Sequence, residues 1–192
     1  MAIENPDGQL SFSIVNTEMT VEAMRDSGYK STTHALAELI DNAIEAEATA
    51  IEVFGVSGRD DRTSRITLKE LAVLDNGEGM DRIRLRGSLR YGHGTRRARR
   101  GIGRFGVGLP NSSMSQAKRV DVWSWQTGAT NALHTWLSIG DVERGAEEIP
   151  EPTLRAIPDA YRTATRHGFE DSGTLVVWSD LDRVEWKRAS TT

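Results

Sequence analysis

The sequence predicts an α/β fold in which helices precede a strand hairpin and antiparallel strands close the chain. Three stretches predict it. Residues 36–46 form one helical run, residues 50–56 and 64–74 flank a turn at Gly58-Arg59-Asp60-Asp61, and residues 119–127 alternate around Val120, Val122, Trp123 and Trp125. The helical run has no Gly or Pro and is rich in Ala, Leu and Glu. At about 100° per residue, Glu38, Asp41, Asn42 and Glu45 share one arc roughly 100° wide. Leu36, Leu39, Ile40, Ala43 and Ile44 fill the other side. A solvated acidic face would give this pattern. Against it, the stripe carries no Lys or Arg for i,i+4 pairs, an Asn sits mid-helix, and small residues flank the acids. A carboxylate and an amide one turn apart suit a hydrated divalent cation and an activated water.

At 192 residues the chain is long enough for one domain with a real core, or one domain and an appendage. A net charge of −4 says nothing about partners. The absence of cysteine excludes disulfides, thiolate-bound zinc and thiol catalysis. No apolar run approaches the roughly 20 residues of a membrane span. Met1-Ala2-Ile3-Glu4-Asn5-Pro6-Asp7 lacks the layout of a signal peptide. A soluble, cytoplasmic protein without membrane contact is expected.

In chain order, residues 1–19 form an expected arm with an apolar patch at Phe12, Ile14 and Val15. A short helix over 20–27, capped by Thr20 and ended by Gly28, precedes the main helix. That helix starts near Ser31-Thr32-Thr33 and runs to about Ala48, and the hairpin follows. Its second strand ends in Asp75-Asn76-Gly77-Glu78-Gly79-Met80. A turn explains the two glycines but not an acid emerging directly from an apolar strand. Such an Asp is placed to accept from an exocyclic amine, with Met80 and Ile83 as apolar walls. Residues 81–90 are helical again. From Arg82 to Arg104 there are nine arginines and no acid in 23 positions, an island that attracts phosphate, whether of nucleotide or nucleic acid. It ends in Gly101-Ile102-Gly103-Arg104-Phe105-Gly106-Val107-Gly108, whose backbone N–H groups suit an anion ahead of a helix start. No parallel βαβ unit surrounds these glycines, and no Lys-Ser/Thr ending follows them. Strands at 119–127, 132–139 and 173–178 complete the chain, while 140–168 is rich in loops with no assignment.

Taken together, these pieces resemble the GHKL ATPases: gyrase B subunits, heat-shock chaperones of that class, MutL and histidine kinases. Glu38-Leu-Ile-Asp-Asn42-Ala-Ile-Glu45-Ala is similar to the N box, and Asp75-Asn-Gly77-Glu-Gly79-Met80 to the adenine-binding G1 box. Gly101-Ile-Gly103-Arg-Phe-Gly106-Val-Gly108 resembles the G2 box of the ATP lid, and Gly173-Thr174 the late Gly-Thr element. The segment from Ile102 to Leu109 and Ser112-Ser113-Met114 look most like the MORC-type branch.

The resemblance implies the Bergerat fold, a two-layer α/β sandwich with a mixed, mostly antiparallel sheet packed on helices. It implies an ATP-binding domain over 20–182 with a lid at 91–114 and a tail at 183–192. It implies Glu38 as general base, Asn42 as the Mg²⁺ ligand, and Asp75 as acceptor from the adenine amine beside Thr174. Gly77, Gly79 and Met80 would meet the base. Gly101, Gly103, Arg104, Phe105, Gly106, Val107 and Gly108 would form the phosphate-binding lid. ATP or ADP with Mg²⁺, an ATP-dependent homodimer and nucleic acid are the expected partners. Because a lysine or arginine from a following domain usually reaches the γ-phosphate in this class, hydrolysis by this chain is expected to be slow or partner-dependent. Pro110 stands where MORC-like lids commonly have a lysine. Two rival readings are a nucleic-acid-binding module built on the 82–104 island and a histidine-kinase-like catalytic domain. In the latter the carboxylate at the position of Glu38 is typically Asn or His.

Overall fold

The structure, a computed structural model, describes residues 3–4, 10–11, 17–60, 64–91, 108–166 and 168–185. A two-stranded ribbon, β1 (Ile3–Glu4) and β2 (Leu10–Ser11), comes first, then helices α1 (Thr17–Ser27) and α2 (Thr32–Glu45). The hairpin β3 (Ile51–Arg59) and β4 (Ile66–Asp75) leads to α3 (Arg82–Ser88). After α4 (Gly108–Met114) come β5 (Ala117–Trp125), β6 (Leu133–Ser138) and α5 (Ile139–Glu143). The chain continues through β7 (Thr153–Leu154) and α6 (Asp159–Ala164) to β8 (Gly173–Leu181). The six-stranded sheet has the order β3-β4-β8-β5-β6-β7. Every described pairing is antiparallel, so the expected antiparallel character extends to the whole described sheet.

Alternation in the three central strands builds both faces of the sheet. On one face Leu71, Val73, Val120, Val122, Val176 and Trp178 pack with Ala35, Leu36 and Leu39 of α2, Val21 of α1, Leu85 of α3 and Met114 of α4. On the other, Ala72, Leu74, Trp123, Trp125, Leu175 and Val177 are covered by Ile157 and Tyr161. The segment that the sequence leaves unassigned thus supplies the lid of the second face. Its elements are too short to hold themselves, and long-range bonds fix them instead. Glu52 of β3 accepts from the Thr165 hydroxyl at 2.6 Å and from Arg166 N at 2.8 Å. A local bond adds to these, with Trp136 Nε1 donating to Asp141 Oδ2 at 2.8 Å.

This second face also buries charge. His134 Nε2 lies 2.8 Å from Asp121 Oδ1, and Arg119 grips the same carboxylate at 2.6 and 2.8 Å. Burial works to raise the Asp121 pKa, but His134 and Arg119 together hold it below the ordinary value.

Helix α2 ends at Glu45, earlier than the expected Ala48. Glu47 adopts the left-handed conformation (φ 60°), Glu47 N donates to Ile44 O at 3.0 Å and Ala48 N to Ala43 O at 3.0 Å. Those two bonds form a Schellman motif, which stops the helix one turn short. Helix α1 starts at Thr17, ahead of the expected Thr20.

Candidate functional site

The apolar stripe facing α2 changes chemistry at one end of the sheet. On that face β4 runs Leu71, Val73, Asp75; β8 runs Trp178, Val176, Thr174; β5 runs Val120, Val122, Ser124. The register pairs Asp75 with Thr174 and Thr174 with Ser124. Three polar side chains therefore lie in one row across three strands, each buried.

Asp75 Oδ1 accepts from Gly77 N at 2.8 Å, and the Thr174 backbone N–H also serves the carboxylate. Burial nevertheless dominates and pushes the Asp75 pKa up to about 6, the two N–H groups only partly offsetting it. Among the described residues no cation pairs with this carboxylate. A buried acceptor short of positive partners suits a neutral N–H donor from a ligand. Ser124 Oγ accepts from Met80 N at 2.8 Å and lies 2.9 Å from Thr174 Oγ1 and 3.2 Å from Gly173 O.

The turn after β4 is held on both sides. Asn76 Oδ1 accepts from Thr49 N and Ala50 N at 2.9 and 2.8 Å, tying the turn to the start of β3. Glu78 N donates to Ala46 O at 3.0 Å, which docks the turn on the end of α2. A Cβ on Gly77 would lie 2.7 Å from Ala46 O. One on Gly79, whose φ is +67°, would lie 2.0 Å from Trp125 O. Both glycines are required by backbone approach, and Gly79 by its conformation as well.

On α2, Glu38, Asp41, Asn42 and Glu45 are all half-buried, so the acidic arc is not a solvated face. Tyr29 OH donates to Glu38 Oε2 at 2.8 Å. Burial, then this bond and the Glu38 charge, push the Tyr29 pKa up to about 12. The other carboxylate oxygen lies against α4: a Cβ on Gly108 would come within 2.1 Å of Glu38 Oε1. Gln116 fixes the loop carrying Tyr29, donating to Tyr29 O at 2.8 Å and accepting from Thr32 Oγ1 at 2.7 Å.

The structure thus brings Glu38 and Gly108 together at one point, and Asp75, Gly77, Gly79, Met80 and Thr174 at another. Asn42 lies between them on α2, one turn after Glu38. Gly101, Gly103, Arg104, Phe105, Gly106 and Val107 lie outside the described residues.

Two expectations need correction. Ile83 is 81 % exposed and cannot wall the Asp75 end; it lines a separate groove of about 1350 Å³ between α1, α3 and α5. The arginines of α3 are also not uncompensated. Arg84 pairs with Glu78 at 3.3 Å, and Arg86 pairs with Glu148 at 2.8 Å and Glu151 at 2.6 Å. Arg82 donates to Pro152 O. Glu78 lies just ahead of the island, whereas the acids that pair with Arg86 come from a loop about 60 residues downstream, which inspection of the island could not reveal. The two α3 arginines that line the separate groove are therefore engaged, Arg86 by ion pairs and Arg82 by the Pro152 carbonyl.

Sequence reasoning passed over Tyr29, Gln116, Asn76 and Ser124. A usable signal existed for Ser124 alone: it stands where the Val120, Val122 stripe calls for a third apolar residue.

A half-buried carboxylate on α2 and a buried acid at the polar end of an antiparallel sheet are the two chemical centres of the site, and the family match gives their class. The chain belongs to the histidine kinase-, DNA gyrase B-, and HSP90-like ATPase family, which it matches over residues 29–174. Within that family it is 31 % identical over 149 residues to ATPase MORC2B of Mus musculus, covering 76 % of this chain and 13 % of that protein. It is 30 % identical over 153 residues to ATPase MORC2 of Homo sapiens, covering 75 % of this chain and 14 % of that protein. The chain therefore spans 13–14 % of the length of these relatives. The crystal structure of the N-terminal domain of a DNA repair protein shares the fold, with a TM-score of 0.52 at 19 % identity. That likeness covers 84 % of this chain and 39 % of the other.

Proposed function

We propose that this chain binds ATP between α2 and the polar end of the sheet, hydrolyses it slowly, and uses the bound nucleotide to gate a homodimer. The observation that carries the reading is the Asp75 carboxyl, buried beside Thr174 with a pKa of about 6 and no cation partner among the described residues. An adenine 6-amino group supplies the donor that this acceptor lacks. Gly77 keeps the turn close to the end of α2 and Gly79 keeps it close to β5, leaving Met80 beside the base.

One turn before Asn42 on α2, Glu38 takes a proton from the water that attacks the γ-phosphorus, and ADP departs. The Tyr29 hydroxyl holds one oxygen of that carboxylate, leaving Oε1 toward Gly108. Among the described residues no group of three or more acidic, His or Cys side chains could hold a metal ion. Mg²⁺ keeps most of its waters and binds substrate phosphates with few protein ligands. Asn42 would supply the amide oxygen, and the ion would neutralise phosphate charge. Gly101, Gly103, Arg104, Phe105, Gly106 and Val107 are assigned to the phosphates by resemblance, Gly108 by its place against Glu38 as well. The nucleic-acid reading loses Arg84 and Arg86 to ion pairs and is not preferred. A cytoplasmic setting is part of the same proposal.

The test is Glu38→Ala, with nucleotide affinity and phosphate release measured separately. Affinity is expected within a few-fold of wild type, while turnover falls about 10²–10⁴-fold, the usual cost of losing a general base. Unchanged turnover would remove Glu38 from the mechanism.

A further inference from the structure

A buried amide lies behind the side chain that holds Glu38. Gln116 sits between the end of α4 and the start of β5, and it and Thr32 are both buried. Its amide can face only one way. The Tyr29 carbonyl has no proton to give, so the atom 2.8 Å from it is Nε2, which donates. Oε1 then faces Thr32 Oγ1 at 2.7 Å and takes its proton. The same hydroxyl oxygen accepts from Glu185 N at 3.1 Å, in agreement with that direction. Nε2 also reaches Ser115 O at 3.2 Å. Both ends of the amide are thus satisfied in the interior, and the Tyr29 backbone is pinned to the start of α2. The direction of the next bond is fixed as well. An ionised carboxylate can only accept, so Tyr29 OH donates to Glu38 Oε2 at 2.8 Å.

A general base needs more than proximity to its water. It must keep one oxygen within hydrogen-bond reach, and a long, half-buried glutamate has other rotamers open to it. Tyr29 removes that freedom by holding Oε2, and it can do so only while its own backbone stays in place. We propose that Gln116 is a positioning residue for ATP hydrolysis: by fixing the Tyr29 backbone it sets the orientation of the Glu38 carboxylate. Thr32 in turn sets the orientation of the amide. This inference rests on the reading of Glu38 as general base. Gln116 touches no nucleotide in this account, so its effect belongs to turnover and not to affinity.

The test is a double-mutant cycle between Gln116→Met, which keeps the length and loses the amide, and Tyr29→Phe, which loses only the hydroxyl. ATP affinity is measured by calorimetry with Mg²⁺, and single-turnover phosphate release at saturating ATP. Glu38→Ala runs in the same assay, and thermal unfolding checks folding. Phosphate release is expected to fall about 10- to 100-fold in Tyr29→Phe and about tenfold in Gln116→Met, the scale of a misplacement of up to about 1 Å. ATP affinity should stay near wild type in both. In the Tyr29→Phe background Gln116→Met should cost almost nothing further, because the contact it maintains is already gone. A purely structural Gln116 would lower phosphate release by the same factor in both backgrounds, which overturns the proposal. Wild-type phosphate release in Gln116→Met, or in Tyr29→Phe, overturns it too. If Gln116→Met does not fold, Thr32→Val, which frees the amide, is read the same way, and Thr32→Ser, which keeps the hydroxyl, should recover wild-type turnover. Unchanged release in Glu38→Ala overturns the general-base reading itself, a different result from any of these.

Discussion

The Asp75 carboxyl titrates near 6 because the end of β4 buries it among backbone groups, with no cation among the described residues. The sign of its effect on stability follows. The folded pKa lies above the ordinary 3.8, so the fold favours the protonated form. No penalty exists below about pH 4; it grows as pH rises towards 6 and is complete above that. Its size is about 3 kcal/mol at neutral pH, taking 1.36 kcal/mol per unit. Asp75→Asn is therefore expected to raise the unfolding free energy at pH 7 by about 1–2 kcal/mol, the rest being lost with the charge-assisted bonds from Gly77 and Thr174. The gain should shrink as pH falls from 7 to 4, where the wild-type carboxyl is already protonated. Denaturant unfolding at both pH values checks this; equal or lower stability of the variant at pH 7 would show that burial does not penalise Asp75. The acid was legible in the sequence because an Asp directly after an apolar strand is unusual and two glycines follow it. Tyr29 was not, because nothing local marks a tyrosine nine residues before Glu38 as the partner of its carboxylate.

Helices α2 and α4 share the point on which turnover depends in this account. Gly108 opens α4 with its α-carbon against Glu38, and Gln116 beyond its other end holds the Tyr29 loop and Thr32 at the start of α2. Arg25 of α1 donates to Met114 O at 2.8 Å, closing the end of α4, and pairs with Asp182 beyond β8. The N-box helix is thus framed by the element that follows the glycine-rich segment. Gly108→Ala would drive a methyl to 2.1 Å from Glu38 Oε1, so either the carboxylate or α4 must move. Turnover is expected to fall about 10²-fold, the scale of a misplacement near 1 Å, with a smaller change in ATP affinity. Single-turnover phosphate release beside calorimetry separates the two effects; wild-type turnover would mean that Glu38 is not held at this contact. The main helix was read from its two-sided pattern, but its end was not. A left-handed Glu47 carries no sequence signal, since glycine usually fills that position. Nor was Ile44 placed correctly: it was assigned to the apolar side and is 59 % exposed.

Across the molecule the sheet does two jobs: its centre buries apolar side chains on both faces, and one end changes to Asp75, Thr174 and Ser124. The antiparallel strands were legible because Val120, Val122, Trp123 and Trp125 alternate and because the strand at 173–178 carries the apolar run Leu175-Val176-Val177-Trp178. Their order was not. Strand β8 inserts between β4 and β5, and pairs such as Asp75 with Thr174 join positions 99 apart, where no local pattern records the partner. Sequence separation likewise concealed the pairing of Arg86 with Glu148 and Glu151. If nucleotide gates assembly, a non-hydrolysable ATP analogue with Mg²⁺ should double the mass in light scattering while ADP leaves it unchanged; identical masses with both would remove the gating role.

The most direct measurement of the central claim is a calorimetric titration of ATP with Mg²⁺ into wild type and into folded Asp75→Asn, with GTP as the control. The account predicts saturable one-to-one binding of ATP by wild type, no comparable binding of GTP, and an affinity for ATP about 10- to 100-fold weaker in the variant, the range for losing a charged hydrogen bond to a buried partner. Equal ATP affinity in the two proteins would contradict it.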